Sequence, residues 1–104
     1  MNVDFHPLAV RDLLDAQKYY GEIDPALSKD FRHHLDLIVA TLSESPFFYH
    51  PLSSRSRFRR ANMKRFPFHL VYEVIAPDSL IRVVVVRHDK RHPSHGLNRS
   101  WPQI

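Results

Sequence analysis

The spacing of hydrophobic residues in the first half of the chain predicts two amphipathic helices. One apolar stripe consists of Ala9, Leu13, Ala16 and Tyr20, and a second consists of Leu27, Phe31, Leu35, Ile38 and Leu42. Pro7 suits the first turn of the first helix and Gly21 suits its end. Asp24 and Pro25 indicate the start of the second helix, as its N-cap and first residue. Residues 7–45 are therefore predicted to form a helical hairpin.

The rest of the chain follows the two-residue period of β-strands. Alternation predicts strands over residues 58–62, 66–75 and 80–88, and a short strand at Val3 and Phe5 precedes the helices. One face of the 66–75 strand carries Phe66, Phe68, Leu70, Tyr72 and Val74. Residues 76–79 are predicted to be a turn, and residues 46–57 an irregular crossing loop. The polar segment from Asp89 is expected to wrap irregularly or as one helical turn.

These elements predict a single α+β domain over residues 1–104, in the order β-α-α-β-β-β. The last three strands form an antiparallel meander, and the helical hairpin covers one face of it. The fold is thus two-layered, with an N-terminal strand and a helical hairpin packed on a small antiparallel β-sheet. The other face of the sheet is left for solvent or a partner. Phe47 and Phe48 are expected to anchor the crossing loop against the sheet, and Trp101 to contact a partner or fold back.

Composition narrows the classes of function. The chain has no cysteine, which excludes disulfides and thiolate chemistry and is compatible with a reducing cytosol. Its longest apolar run, residues 83–86, is far shorter than the roughly 20 residues of a membrane span. The N-terminus has no signal-peptide pattern. We expect a cytoplasmic protein with no membrane association and no cofactor.

Charge is divided unequally along the chain. Residues 1–50 carry four bases and eight acids, whereas residues 51–104 carry eleven bases and three acids. The first half therefore has a net charge of −4 and the second half of +8. A polyanion or an acidic protein is expected to meet the second half. The alternative is a solvated basic face without a partner.

Basic residues cluster where the crossing loop meets the second strand. Arginine forks bind phosphates and carboxylates in a bidentate way. The alternative to a partner is that these arginines pair with acidic residues of the helical hairpin, and nucleic acid and protein are equally compatible partners. The predicted partner-binding residues are Arg55, Arg57, Arg59, Arg60, Arg87 and Arg91.

His88, at the end of the last strand, is a candidate general acid for RNA cleavage. Such a site also needs cations for the phosphate, for which Arg82, Arg87, Lys64 and Arg65 are candidates, and a base, for which Glu73 and His69 are candidates. On a regular strand Arg82 and His88 share a face but lie roughly 20 Å apart, and Arg87 faces the opposite side. A structural hydrogen bond is the alternative role of His88.

A metal site is not expected in the C-terminal segment. His88, His92 and His95 are spaced by four and three residues, as in some zinc sites, but Pro93 interrupts the helix that this spacing needs. We therefore assign no metal ligand.

The segments just described resemble the RelE/ParE toxin superfamily. The strand Arg65-Phe66-Pro67-Phe68 looks like the Arg-Phe-Pro-Tyr motif of that family. His88, Arg91, Pro93 and Arg99 occur in the order of its last strand and tail, and Phe5-His6-Pro7 resembles its opening. The likeness is closer to the ParE-like, plasmid-stabilisation branch. Phe68 and Gly96 depart from the pattern, which usually has tyrosine and tryptophan there, and Trp101 is a candidate substitute.

The resemblance implies a toxin of a type II toxin–antitoxin system, whose cognate antitoxin wraps it with a C-terminal segment. ParE-like members inhibit DNA gyrase, whereas RelE-like members cleave messenger RNA on the ribosome. The first hypothesis is growth inhibition by binding a protein target such as gyrase. The second is a metal-independent mRNA interferase that uses His88, with Arg82 or Lys64 and Arg65. The third is an inactive, toxin-like interaction module. The assembly is expected to be a toxin–antitoxin hetero-oligomer or a homodimer.

Overall fold

Both helices begin where the sequence indicates, because each has a proline in its first turn and a capping side chain. In the computed structural model, which describes residues 1–102, helix α1 is Pro7–Ile23 and helix α2 is Pro25–Glu44. His6 Nδ1 accepts a hydrogen bond from the Leu8 backbone, and Asp24 Oδ1 accepts one from Ala26. The expected end of α1 at Gly21 is wrong. The helix continues to Ile23, and the Asp24 N–H donates to the Tyr20 carbonyl.

Four strands form one mixed sheet in the order β1-β4-β3-β2. They are β1 (Asn2–Phe5), β2 (Phe58–Asn62), β3 (Phe68–Ile75) and β4 (Leu80–His88). Strands β2, β3 and β4 form the predicted antiparallel meander, whereas β1 pairs with β4 in parallel. The α+β class and the order β-α-α-β-β-β are confirmed.

The main core lies between the helical hairpin and the inner face of the sheet. The predicted stripes are buried there, including Leu13, Phe31 and Leu42. An aromatic group of Tyr20, Phe31, Phe66 and Phe68 has ring centroids 4.8–6.1 Å apart. These contacts join both helices to the start of β3 and hold the meander against the hairpin.

A β-bulge interrupts the alternation of β4. Val71 of β3 pairs with Val85, but the next β3 residue, Tyr72, pairs with Val83, so Val84 is an extra residue. Val84 and Val85 consequently both belong to the outer cluster, on the face away from the helices. From Val85 onward, each β4 side chain therefore lies on the opposite face from the one that uninterrupted alternation would give it.

The outer face of the sheet is covered, contrary to the expectation that it is free. The crossing loop and the segment 89–102, which we call the tail, lie over it and complete an apolar cluster of Leu52, Phe58, Val71, Val84, Val85, Leu97 and Trp101. Trp101 therefore folds back. Phe47 and Phe48 do not anchor the loop, since they are 62% and 67% exposed. Tyr49 packs against the core instead.

No helix within the described residues is long and apolar enough to span a membrane.

Candidate functional site: a basic cleft beside the tail

A cleft of about 750 Å³ opens between the crossing loop, the outer face of β2 and the start of the tail. Arg60 and Asn62 face it because alternate residues of β2 point outward, and Lys64 follows the strand. Arg91 lies on the tail side, and the opposite wall is formed by residues 48–52. Lys64 and Arg91 are exposed and have no ion pair with any described residue. The cleft therefore offers cations to an anionic or acidic group.

The floor of the cleft is a buried chain of polar side chains. His69 is 1% exposed and Arg87 is 4% exposed. Arg87 Nε donates to His69 Nε2 at 2.8 Å, and His69 Nδ1 lies 2.7 Å from Asp89 Oδ1. Arg60 Nη2 reaches the same carboxylate oxygen at 3.4 Å. Arg87 Nη1 also donates to the carbonyls of His92, Pro93 and His95 in the tail.

These contacts fix the protonation of His69. Because Arg87 can only donate, His69 Nε2 accepts and the proton is on Nδ1, which donates to Asp89. Burial lowers the pKa of His69, the hydrogen bond to Asp89 opposes this, and the nearby Arg60 and Arg87 lower the pKa further. His69 is thus neutral with both nitrogens engaged, and this geometry does not provide a free general base.

The structure does not bring together the residues proposed for RNA cleavage. Arg82 precedes the bulge and lies on the outer face, where its guanidinium is 4.8 Å from the centroid of Trp101. His88 is on the helix face, where its ring contacts Phe68 and its Nδ1 accepts from the Lys90 backbone. The expectation that Arg82 and His88 share a face is therefore wrong. Arg65 does not line the cleft, and its guanidinium pairs with Asp30 of α2 at 2.9 Å.

The predicted partner-binding arginines are distributed over several surfaces. Arg60 and Arg91 line the cleft, whereas Arg59 turns to the other face of β2, donates to the Tyr49 carbonyl and lies over Phe47. Arg57 pairs with Glu73 at 3.2 Å, and Arg55 is exposed on the crossing loop. Arg87 differs from the expectation of a partner-binding residue, because it is buried and its guanidinium donates to His69 and to the tail carbonyls.

One ion pair that holds the tail was not predicted from the sequence. Asp12 of α1 and Arg99 of the tail form a bidentate ion pair at 2.6 and 3.1 Å. Strand β1 ends at Phe5, which pairs with Val83, so the edge of β4 beyond it lacks a neighbouring strand. Asp12 accepts from the Val86 N–H, and Arg99 donates to the Val84 carbonyl. This ion pair therefore replaces a strand at that edge. The sequence gives no signal of this ion pair, because Asp12 and Arg99 are 87 residues apart in the chain.

Comparisons with known proteins agree with this architecture. The family model described as the ParE toxin of the type II toxin–antitoxin system parDE matches residues 3–93. A solved structure of the chromosomal ParDE system from P. aeruginosa superimposes with a TM-score of 0.72 and 17% identity, covering 85% of this chain and 95% of that chain. The isolated E. coli RelE toxin gives a TM-score of 0.59 and 18% identity, covering 90% and 89% of the two chains.

At these identities the two solved structures support the fold alone. No curated protein sequence matches the chain significantly. The family match carries more, because it covers nearly the whole chain, including the helical hairpin, the meander and the start of the tail that forms one side of the cleft. The chain therefore belongs to the ParE toxin family of type II toxin–antitoxin systems.

Proposed function

We propose that the protein inhibits bacterial growth by binding a cellular protein, with DNA gyrase as the leading candidate, and that a cognate antitoxin neutralises it. The family supplies the class of toxin, and the basic cleft supplies a surface for an acidic partner. Because DNA gyrase is a cytoplasmic target, we propose that the protein acts in the cytoplasm. The assembly we expect with the antitoxin is a hetero-oligomer, and a homodimer is the alternative for the toxin alone.

The observation that carries the choice of binding over RNA cleavage is the opposite orientation of Arg82 and His88. An RNase site requires an acid, a base and a phosphate-binding cation within reach of one phosphodiester. Arg82 is on the outer face with Trp101, His88 is on the inner face with Phe68, and both nitrogens of His69 are engaged. The cations that line the cleft are thus better suited to hold a partner than to catalyse.

The target is tested with purified protein in two parallel assays. In the gyrase assay we expect the protein to inhibit supercoiling or to cause broken plasmid DNA to accumulate. In the ribosome assay we expect the messenger RNA to remain intact. The variant His88→Ala should behave as the wild type in both assays. Ribosome-dependent cuts that disappear in His88→Ala would establish the nuclease instead. Normal growth on overexpression, in the absence of an antitoxin, would indicate the inactive interaction module.

We place an acidic or amphipathic segment of the antitoxin along the cleft, over Arg60 and its neighbours. Lys64→Glu and Arg91→Glu reverse exposed charges without breaking a described ion pair, so they test this surface cleanly. Each should weaken antitoxin binding about tenfold or more, since a like-charge contact replaces an attractive one.

Lys18→Glu is the matched control, because Lys18 is an exposed base on α1, away from the cleft. It should change affinity less than about threefold, in line with a screened surface charge. Isothermal titration calorimetry at two salt concentrations provides the measurement. Equal effects of Lys18→Glu and Lys64→Glu would show that antitoxin binding does not use the cleft. Light scattering of the complex gives its stoichiometry.

A further inference from the structure

The tail is attached to the sheet at two separate points. Its far end, residues 99–101, is held by the ion pair of Arg99 with Asp12 and by the bond between His6 Nε2 and the Ser100 carbonyl. Its near part, residues 90–96, is held by Arg87, whose Nη1 donates at 2.8 Å to the carbonyls of Pro93 and His95, and by the close approach of Gly96 to Val85. The near part also forms one wall of the cleft.

Arg87 is itself oriented by His69. Its Nε–H points at His69 Nε2 over 2.8 Å, in a region where both side chains are buried. This bond exists only while Nε2 has a free lone pair. A proton on Nε2 would convert the acceptor into a donor and place an imidazolium against a guanidinium.

We propose that protonation of His69 releases Arg87 from the tail carbonyls, so that residues 90–96 detach and the cleft widens while residues 99–101 stay docked. The toxin would then present a narrower cleft at neutral pH and a wider one in mildly acidic conditions. This inference concerns the chain alone and holds for any target. Its test requires neither gyrase nor antitoxin.

The charges around His69 determine the sign of the effect. Arg87 from β4 and Arg60 from β2 disfavour a second proton, and so does burial. Asp89 favours it but is shared with Arg60. In the docked state the pKa of His69 is therefore below its ordinary value of 6.5, whereas in the detached state the ring is hydrated. Further titratable groups line the same cleft, namely Tyr49, His50, Lys64 and Arg91.

Linkage gives the size of the expected response. Detachment takes up one proton, so the equilibrium constant for detachment rises by up to about tenfold per pH unit below about 6.5, until the lowered pKa of docked His69 is reached. Above that range the tail remains fully docked. The backbone N–H groups of His95 and Leu97 are suitable reporters, because they donate to the carbonyls of His92 and Ser94 and not to a titrating ring.

The experiment is amide hydrogen exchange, followed by NMR between pH 5 and pH 8, on the wild type and on His69→Gln. A glutamine amide can accept from Arg87 and does not titrate in this range. We expect the wild-type exchange rate at His95 and Leu97, divided by that of His69→Gln at the same pH, to be near one at pH 7.5. Below pH 6.5 this ratio should rise by several-fold to about tenfold per unit, whereas amides of β3 and β4 stay protected.

Three results would overturn the proposal: a ratio that stays flat, a loss of protection in β3 and β4 together with the tail, or a pH response that persists in His69→Gln but disappears in His95→Gln. His95 is the relevant control because burial also lowers its pKa and it lies in the same segment. If His69→Gln fails to fold, Asp89→Asn replaces it. That variant removes the carboxylate that favours a second proton on docked His69, so it lowers the docked pKa further and leaves the onset near pH 6.5 unchanged. The rise in exchange at His95 should therefore continue to lower pH than in the wild type, and a rise that ends at the same pH would contradict the proposal.

Discussion

Removal of the Asp12 carboxylate should destabilise the protein far more than removal of an ordinary surface charge on the same helix. Asp12 accepts three hydrogen bonds, two from Arg99 and one from the Val86 backbone. The side chains of Asp12 and Arg99 are only 18% and 12% exposed. Asp12→Ala therefore leaves a poorly solvated guanidinium and an N–H of the β4 edge without their partner.

The magnitude follows from these contacts. A hydrogen bond to a charged group contributes about 1.5–3 kcal/mol, and breaking a buried ion pair costs about 3–5 kcal/mol. Because the pair retains some contact with water, we expect Asp12→Ala to lower the free energy of unfolding by about 2–4 kcal/mol. For a chain of this size that corresponds to a fall in Tm on the order of 10–20 °C.

Urea unfolding followed by circular dichroism measures the loss, and a double-mutant cycle with Arg99→Ala isolates the pair. The double variant should be more stable than the sum of the single losses predicts, by about 1–3 kcal/mol. Asp15→Ala is the control, since Asp15 lies on the same helix and is 73% exposed, 4.0 Å from Arg11. Its effect should stay within about 0.5 kcal/mol. Equal losses for Asp12→Ala and Asp15→Ala would refute the role of the ion pair as a substitute for a strand.

Three further substitutions test local features of the fold by the same unfolding assay. Gly96→Ala should destabilise by about 2 kcal/mol or more, because Gly96 has φ +82° and an added Cβ would lie 2.7 Å from Val85 Cβ. Tyr72→Phe should cost about 1–2 kcal/mol, since the buried hydroxyl donates to the Pro46 carbonyl at 2.8 Å. Ser79→Gly should stabilise by about 0.5–1 kcal/mol, because Ser79 has φ +53°.

Matched controls exist for the first two of these substitutions. Gly21→Ala adds the same methyl group inside α1, where the backbone is helical and the nearest contact is 3.3 Å from Ser28 Cβ, so its effect should be far smaller than that of Gly96→Ala. Tyr19→Phe removes a hydroxyl from an exposed ring and should be nearly neutral. A neutral Gly96→Ala would show that the tail is not held against Val85, and a neutral Tyr72→Phe would show that its hydroxyl bond contributes nothing to stability.

Periodicity was sufficient to predict the elements and the packing of the helical hairpin on the sheet. The helical stripes through Leu13 and Phe31 and the alternation through Leu70 and Tyr72 are each read from one segment alone, and all these residues are buried as expected. Such patterns depend on local geometry, which the sequence expresses directly. The parallel pairing of β1 with β4 is not a local property. It follows from how the hairpin returns the chain to the sheet.

The bulge could not be predicted because it lies in a run of four valines. Alternation identifies the face of a residue only where polar and apolar side chains differ, and residues 83–86 are identical. The extra residue at Val84 therefore leaves no trace in the pattern, yet it reverses the faces of Arg87 and His88. The bulge therefore places His88 and Arg82 on opposite faces, in addition to their separation along the strand.

The two phenylalanines of the crossing loop were misassigned for a different reason. Hydrophobicity suggested that Phe47 and Phe48 anchor the loop, but Tyr49 already occupies the position beside Tyr72, with ring centroids 6.4 Å apart. The loop is thus held by one aromatic residue, and the other two remain exposed. The sequence shows which aromatic residues could anchor the loop, but the space beside the sheet determines how many of them can pack there.

The excess of positive charge in the second half of the chain therefore has two different uses. Arg82, Arg87 and Arg99 fasten the tail, through Trp101, the tail carbonyls and Asp12 respectively, and these contacts withdraw them from any partner. Arg57 and Arg65 are matched by Glu73 and Asp30. What remains for an acidic partner is a smaller set at the cleft, chiefly Lys64 and Arg91, together with Arg60, which also pairs with Asp89. A partner that depends on charge should consequently respond to substitutions in that set, and substitutions of the tail-fastening arginines should act through stability instead.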